Sequence, residues 1–241
     1  MMTPIARHGL LAAAIFALMS CGSNATATGN TPQDLSRLRN FTKVSFAGPD
    51  HVVIRRGAAF SVTATGDERA LARLELKVRD ETLEIGRRHD WRSIMPGRDG
   101  GATITVTLPA LREATLAGSG NMQVDQLTGK DVEASVTGSG NLVIARVQAD
   151  SVDLETSGSG TLTASGQVRE ADLSVTGSGG IAASGLAAQT AELSLVGSGD
   201  AQLRVDGRAE VSIVGSGDAT ISGDARCNVS RVGSGAVRCG A

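Results

Sequence analysis

The stretch Val136-Thr-Gly-Ser-Gly-Asn-Leu-Val-Ile144 contains a Gly-Ser-Gly tripeptide that recurs through the second half of the chain. Seven copies begin at Gly118, Gly138, Gly158, Gly177, Gly197, Gly215 and Gly233, at intervals of 20, 20, 19, 20, 18 and 18 residues. A short, nearly constant period is typical of a solenoid, whose single repeats cannot bury their own apolar face. Glycine accepts a positive φ without a Cβ clash, so each tripeptide is predicted to form a sharp corner.

Apolar residues keep constant places relative to the tripeptide: two and four positions after it, and four positions before it. Each repeat is therefore predicted to hold two short strands with alternating burial, separated by turns. Stacking of equivalent strands gives parallel ladders whose apolar columns point inward. Residues 111–241 are thus predicted to form an all-β fold, a parallel β-helix-like solenoid with coils of about 18–20 residues and Gly-Ser-Gly corners.

Residues 31–110 are predicted to form an irregular β region that continues into the solenoid. Gly48-Pro-Asp50 indicates a turn. Residues 67–73 indicate one or two helical turns, and residues 74–78 and 82–85 indicate a hairpin around Arg79-Asp80.

Residues 1–30 have the pattern of a signal peptide followed by a tether. Arg7 supplies a positive charge before the apolar residues 10–19, which are too few to span a membrane as a helix. Two cleavage sites compete. Leu18-Met-Ser-Cys21 resembles a bacterial lipobox, in which Cys21 is lipidated, whereas Ala25-Thr-Ala27 suits an ordinary signal peptidase.

The number of cysteines favours lipidation of Cys21 over ordinary cleavage after Ala27. The chain has three, Cys21, Cys227 and Cys239, which is an odd number for an exported protein. If Cys21 carries lipid, Cys227 and Cys239 remain as a pair, and a disulfide between them would close the last coil. Two buried thiols are the alternative. The predicted location is the outer membrane, as a lipoprotein, or otherwise the periplasm or cell surface.

The chain resembles the bacterial head GIN domain family, described as autotransporter adhesin heads and formerly as a domain of unknown function. The resemblance covers about residues 41–240 and rests on four features that occur together. They are the strand at Phe41, the segments 52–54 and 82–85, the segment 104–111 and the serial Gly-Ser-Gly corners. It implies a β-helix-like fold in exported or surface-attached proteins, and it brings no catalytic residues.

A column of acidic residues lies five positions before the tripeptides. If the repeats are in register, the carboxylates form a ladder on one outward face, where like charges destabilise the fold unless they are screened, neutralised or bridged. Binding of a hard cation such as Ca²⁺ is one hypothesis. The alternative is an ordinary polar face whose charge is offset by nearby Lys and Arg side chains. The column consists of Glu113, Glu133, Asp153, Asp172, Glu192 and Glu210, followed by Asn228.

The polar loop at residues 86–101 is the second candidate site. It carries Arg88, Trp91 and Arg92. A basic loop with an aromatic side chain suits contact with anionic glycans, lipid headgroups or a protein partner. Equally, Trp91 could fold back and cover the end of a sheet.

Composition and motifs limit the range of functions expected for the chain. The formal charge is −2 and no dense basic run occurs, so no nucleic acid partner is expected. No cofactor motif is present. We predict an exported, membrane-anchored, non-enzymatic structural or binding protein of the cell envelope, with an envelope polymer or a protein as partner and the membrane reached through an N-terminal lipid. The alternatives are a carbohydrate-active β-helix enzyme and a calcium-dependent adhesive module.

Overall fold

The computed structural model describes residues 35–88 and 100–240. Within these residues, 19 strands form one continuous hydrogen-bonded sheet. A 3₁₀ helix spans Leu35–Arg37 and helix α1 spans Glu68–Arg73. The strands are β1 Lys43–Gly48, β2 His51–Arg56, β3 Ser61–Gly66, β4 Leu74–Arg79, β5 Thr82–Arg87, β6 Ala102–Leu108, β7 Glu113–Gly118, β8 Asn121–Val124, β9 Leu127–Thr128, β10 Asp131–Gly138, β11 Asn141–Gln148, β12 Ser151–Gly158, β13 Thr161–Gln167, β14 Glu170–Gly177, β15 Gly180–Gly197, β16 Asp200–Gly215, β17 Ala219–Ser222, β18 Arg226–Gly233 and β19 Val237–Cys239.

The predicted parallel β-solenoid is confirmed, with coils about 20 residues apart. Strands β7, β10, β12 and β14 pair in parallel, and the ladder continues through the second halves of β15 and β16 to β18. Strands β8, β11 and β13 form the adjoining ladder, which continues through the first halves of β15 and β16 to β17 and β19. Each Gly-Ser-Gly therefore lies at the corner between the two ladders.

The corners are held together by backbone hydrogen bonds between coils. The carbonyl of Gly118 accepts the N–H groups of Ser139 at 2.9 Å and Gly140 at 3.0 Å, and the same pattern recurs in the following coils. The first glycine of each tripeptide has a φ between 112° and 132°. The third glycine is buried, and a Cβ at Gly140 would lie 2.5 Å from the carbonyl oxygen of Gly120. Glycine is thus required at both places, whereas the central serine is exposed.

The stack begins one coil before the first Gly-Ser-Gly. Gly48 of β1 pairs with Gly118 of β7, and the Gly120 N–H donates to the Gly48 carbonyl at 2.9 Å. Gly48-Pro-Asp50, predicted as a turn, is therefore a further solenoid corner in which Asp50 takes the place of the buried third glycine. The tripeptide spacing does not reveal this corner, because its last two residues are Pro and Asp instead of Ser and Gly.

The predicted helical turns and the hairpin before the repeats are confirmed. The Asp67 side chain accepts the N–H groups of Arg69 and Ala70 and caps α1. Strands β4 and β5 pair antiparallel. Asp80 and Glu81 have φ values of 46° and 61°, so the turn lies one residue later than Arg79-Asp80. β5 then pairs with β1 in parallel, which places the hairpin at the N-terminal edge of the stack.

The predicted disulfide between Cys227 and Cys239 is confirmed, with the two Cα atoms 6.4 Å apart. It joins β18 to β19 within the last coil. Other predictions fall outside the described residues: the signal peptide, the lipidation site Cys21, and the loop residues Trp91 and Arg92. No helix within the described part of the chain is long and apolar enough to cross a membrane.

Candidate functional site

The six acidic residues are in register along one outward face. Glu113 pairs with Glu133, and the column continues through Asp153, Asp172 and Glu192 to Glu210. Their neighbours in each strand are buried apolar residues, so the carboxylates point away from the core. We call these six residues the acidic ladder. Neighbouring parallel strands lie about 4.8 Å apart, so the ladder is a closely spaced row of like charges.

Both ends of the acidic ladder have a compensating partner. Lys43 pairs with Glu113 in the sheet, and its Nζ lies 2.6 Å from the Glu113 Oε2. At the other end, Asn228 Nδ2 donates to Glu210 Oε1 at 3.2 Å. The hydrogen bond and charge of Glu113 raise the pKa of Lys43 above its ordinary value. Lys43 was missed in the sequence, although it lies five positions before Gly48 and therefore in the acidic column.

The middle of the ladder is less well compensated. Partial burial against the sheet raises the pKa of Glu133, and the charges of Glu113 and Asp153 raise it further. Partial burial also raises the pKa of Asp153. The pKa of Asp172 is raised for the same reason, with added repulsion from neighbouring carboxylates. The charged forms of these three groups therefore oppose folding.

Asp153→Asn is expected to raise the melting temperature at neutral pH and to lose this effect in acid. A raised folded-state pKa means that the folded chain binds the proton more tightly than the unfolded chain. The stabilisation by protonated Asp153 is therefore complete below the ordinary pKa of 3.8 and is lost as the pH rises through the raised pKa. The melting temperatures of both proteins are measured between about pH 7 and pH 4.

The control for this comparison is Asp125→Asn, which removes a carboxylate from the segment between β8 and β9, away from the ladder. It is expected to change the melting temperature little at neutral pH. A pH-independent difference between wild type and Asp153→Asn would contradict partial burial as the cause of the raised pKa of Asp153.

Two further columns run beside the acidic ladder. Ser174, Ser194, Ser212 and Ser230 are paired in register. Next to them, Val196, Val214 and Val232 are stacked and 46%, 49% and 67% exposed. The acidic ladder, these four serines and these three valines are together called the contact face. It presents carboxylates, hydroxyls and aliphatic groups in parallel rows.

Two grooves flank the start of the ladder. One, of about 480 Å³, is lined by Lys43, Arg112, Asp131 and ladder residues. The other, of about 650 Å³, lies between the β4–β5 hairpin and the β1–β7 face and is lined by Lys77, Glu84 and other polar residues. Small-molecule sites are mostly apolar and enclosed. These charged, open grooves suit contact with a polar surface.

Within the ranges that the structure describes, no group of three or more His, Cys, Asp or Glu side chains is placed to hold a metal ion. The ladder supplies one carboxylate from each coil. The calcium hypothesis therefore has no ligand set in this part of the chain.

A buried ion pair anchors the second candidate site. The Asp50 side chain is fully buried, and its Oδ2 accepts from Arg87 Nε at 2.7 Å. Its Oδ1 accepts from Arg87 Nη2 and from the Ala102 N–H, the latter at 2.8 Å. The hydrogen bonds to Asp50 raise the pKa of the Arg87 guanidinium further. Arg87 and Ala102 flank residues 88–101, so Asp50 joins the two ends of the segment that carries the predicted contact residues.

Arg88 is the one predicted contact residue of this segment that is described. Its backbone N–H donates to the Arg73 carbonyl at 2.9 Å, and its Nη2 donates to the Ala72 carbonyl at 2.9 Å. The side chain is therefore held against the C-terminal end of α1. The buried Asp50 was not recognised from the sequence, where it was treated only as a turn residue.

A profile of the family described as "Putative auto-transporter adhesin, head GIN domain" matches residues 40–225. The chain belongs to this family. The resemblance expected from the Gly-Ser-Gly corners is thereby confirmed. No match was found among curated proteins.

Solved structures show the same fold for this GIN domain chain. A "putative adhesin" from Bacteroides fragilis is 21% identical, with a TM-score of 0.74 and coverage of 83% of this chain and 92% of the other. A "Putative lipid binding protein" from Parabacteroides distasonis is 25% identical, with a TM-score of 0.66 and the same coverage. A "putative adhesin" from Parabacteroides merdae is 22% identical, with a TM-score of 0.59, again with that coverage.

Proposed function

We propose that this GIN domain chain is an exported, membrane-anchored, non-enzymatic binding protein of the bacterial cell envelope. Its contact face binds an extended partner that carries cationic groups. The observation that carries this proposal is the unbroken register of the acidic ladder over six consecutive coils. Such a row of equivalent charges matches a repeating polymer better than a compact ligand.

The chemistry of the contact face supports an adhesive role. The carboxylates Glu133, Asp153 and Asp172, whose charged forms are disfavoured in the folded chain, gain from a partner that brings positive charge, because a nearby opposite charge stabilises a carboxylate. The serine column begins beside Asp172 and the valine column begins beside Glu192, so the later coils of the contact face add hydrogen-bonding and aliphatic area. Many weak, equivalent contacts along a rod give strong attachment through multivalency.

The non-enzymatic assignment has two supports. The family and two of the structural relatives are described as adhesins. In addition, the grooves beside the ladder are open and charged, whereas small-molecule sites are mostly apolar and enclosed.

Envelope attachment is tested by fractionation of cells that express the full chain. Wild type is expected to sediment with membranes and to incorporate a labelled fatty acid, and Cys21→Ser is expected to lose both properties. The mature N-terminus is determined by mass spectrometry, which distinguishes cleavage before Cys21 from cleavage after Ala27. An unlabelled wild-type protein that begins at Thr28 would contradict the lipid anchor.

Binding is tested separately, by co-sedimentation of purified protein with isolated envelope polymer. Wild type is expected to co-sediment at low salt and to be released as salt increases, because the attraction between exposed charges is screened. Glu133→Gln/Asp153→Asn/Asp172→Asn is expected to lose binding, whereas Asp125→Asn retains it. Equal binding by wild type and the triple variant would contradict the contact face. Turnover of an acidic polysaccharide, or a rise in melting temperature with calcium, would favour the enzyme or calcium alternative.

A further inference from the structure

The coil at residues 226–239, the last one that the structure describes, departs from the inward pattern of the coils before it. In β16, Ala209, Val211 and Ile213 point inward and are 1–2% exposed. Their partners in β18 are Cys227, Val229 and Arg231. A guanidinium therefore occupies a position that is apolar, with one threonine, in the coils before it: Leu116, Val136, Thr156, Val175, Leu195 and Ile213.

Arg231 occupies the inward column at the end of the apolar core, and the residue is exposed. Its Nη1 donates to the Gly235 carbonyl at 2.7 Å, which closes the corner of the last coil from β18. On the other side of the same end, the disulfide joins the inward positions Cys227 and Cys239. Val229, which lies between Cys227 and Arg231 in β18, is 45% exposed.

The backbone of β18 is paired on one side only within the described part of the chain. A free strand edge of eight residues is a template for pairing with another chain. No Asp or Glu occurs in residues 225–240, which carry Arg226, Arg231 and Arg238. None of the ion pairs found among the described residues includes these arginines.

We propose that the coil 226–239 is an end-stop that prevents a second copy of this chain from extending the parallel sheet. A coil stacked on β18 would enclose the Arg231 guanidinium between Ile213 and its own apolar column. An unpaired charge in that position is strongly unfavourable. Two copies meeting at their C-terminal ends would also bring together like charges from the three arginines of each copy. Arg231 thus protects the edge of β18 from pairing with a second copy, and the disulfide stabilises the coil that carries this edge.

The test is the oligomeric state in solution, which does not depend on the proposed function. Wild type is expected to be a monomer at all concentrations by size-exclusion chromatography with light scattering. Arg231→Ile restores the residue found at 213 and is expected to form oligomers, with an average mass that at least doubles as concentration rises. Arg226→Ile removes the same charge from an outward position of the same strand and is expected to remain a monomer.

Folding of each variant is verified by circular dichroism and by the mass of the intact disulfide form. Arg231→Val, which places the side chain of Val175 at this position, is the second variant in case Arg231→Ile folds poorly. Three results would overturn the proposal: oligomers of wild type, a folded Arg231 variant that stays monomeric, or oligomers of Arg226→Ile to the same extent.

Discussion

Gly138→Ala is expected to lower the free energy of unfolding by about 3 kcal/mol or more. Gly138 has a φ of 115°, and a Cβ there would lie 2.5 Å from the carbonyl oxygen of Gly118. That carbonyl accepts two N–H groups from the next corner, those of Ser139 and Gly140. The added methyl group therefore combines a strained backbone, which costs about 1–3 kcal/mol, with displacement of two inter-coil hydrogen bonds.

The matched control is Ser139→Ala in the same tripeptide. Ser139 is exposed, and substitutions at such positions usually change stability by less than about 0.5 kcal/mol. Both free energies are obtained from urea unfolding monitored by circular dichroism. If the two variants unfold at the same urea concentration, the corners do not require glycine and the account of the repeat is wrong.

Asp50→Ala is expected to lower the free energy of unfolding by about 3–5 kcal/mol. The substitution leaves Arg87, whose side chain is only 16% exposed, without its carboxylate partner. It also leaves the Ala102 N–H without the acceptor that lies 2.8 Å away. Removal of one member of a buried pair is more costly than removal of both, because it leaves an uncompensated charge.

A double-mutant cycle separates this coupling from simple loss of packing. Asp50→Ala/Arg87→Ala is expected to be much less destabilised than the sum of the two single variants. Glu113→Gln, which breaks the partly exposed pair with Lys43, is the surface comparison and is expected to cost far less. Additive losses in the cycle would contradict a coupled pair between Asp50 and Arg87.

Much of the fold could be predicted because the repeat is a local constraint. A Gly-Ser-Gly corner needs glycine whatever it contacts, so its period measures the coil length directly. Equal coil lengths then place equivalent residues side by side, which is why the sequence predicts the acidic ladder. The disulfide was predicted from the number of cysteines, and the structure places Cys227 and Cys239 in two inward columns of one coil.

The features that were missed depend on contacts between segments without a common pattern. Asp50 meets Arg87 across 37 residues and Ala102 across 52 residues. Lys43 meets Glu113 only because β1 pairs with β7, and the Gly48 corner that aligns them lacks the tripeptide. These pairings are not predicted by the Gly-Ser-Gly spacing or by the alternation of apolar and polar residues.

The sequence by itself determined the coil, its corners and the outward direction of the carboxylates. These follow from backbone sterics and from alternating burial, which act within a few residues. The tertiary structure decided which charges are compensated. Lys43 and Asn228 bind the carboxylates at the ends of the ladder and Arg87 neutralises Asp50, because such compensation depends on distances that only the stacked coils establish.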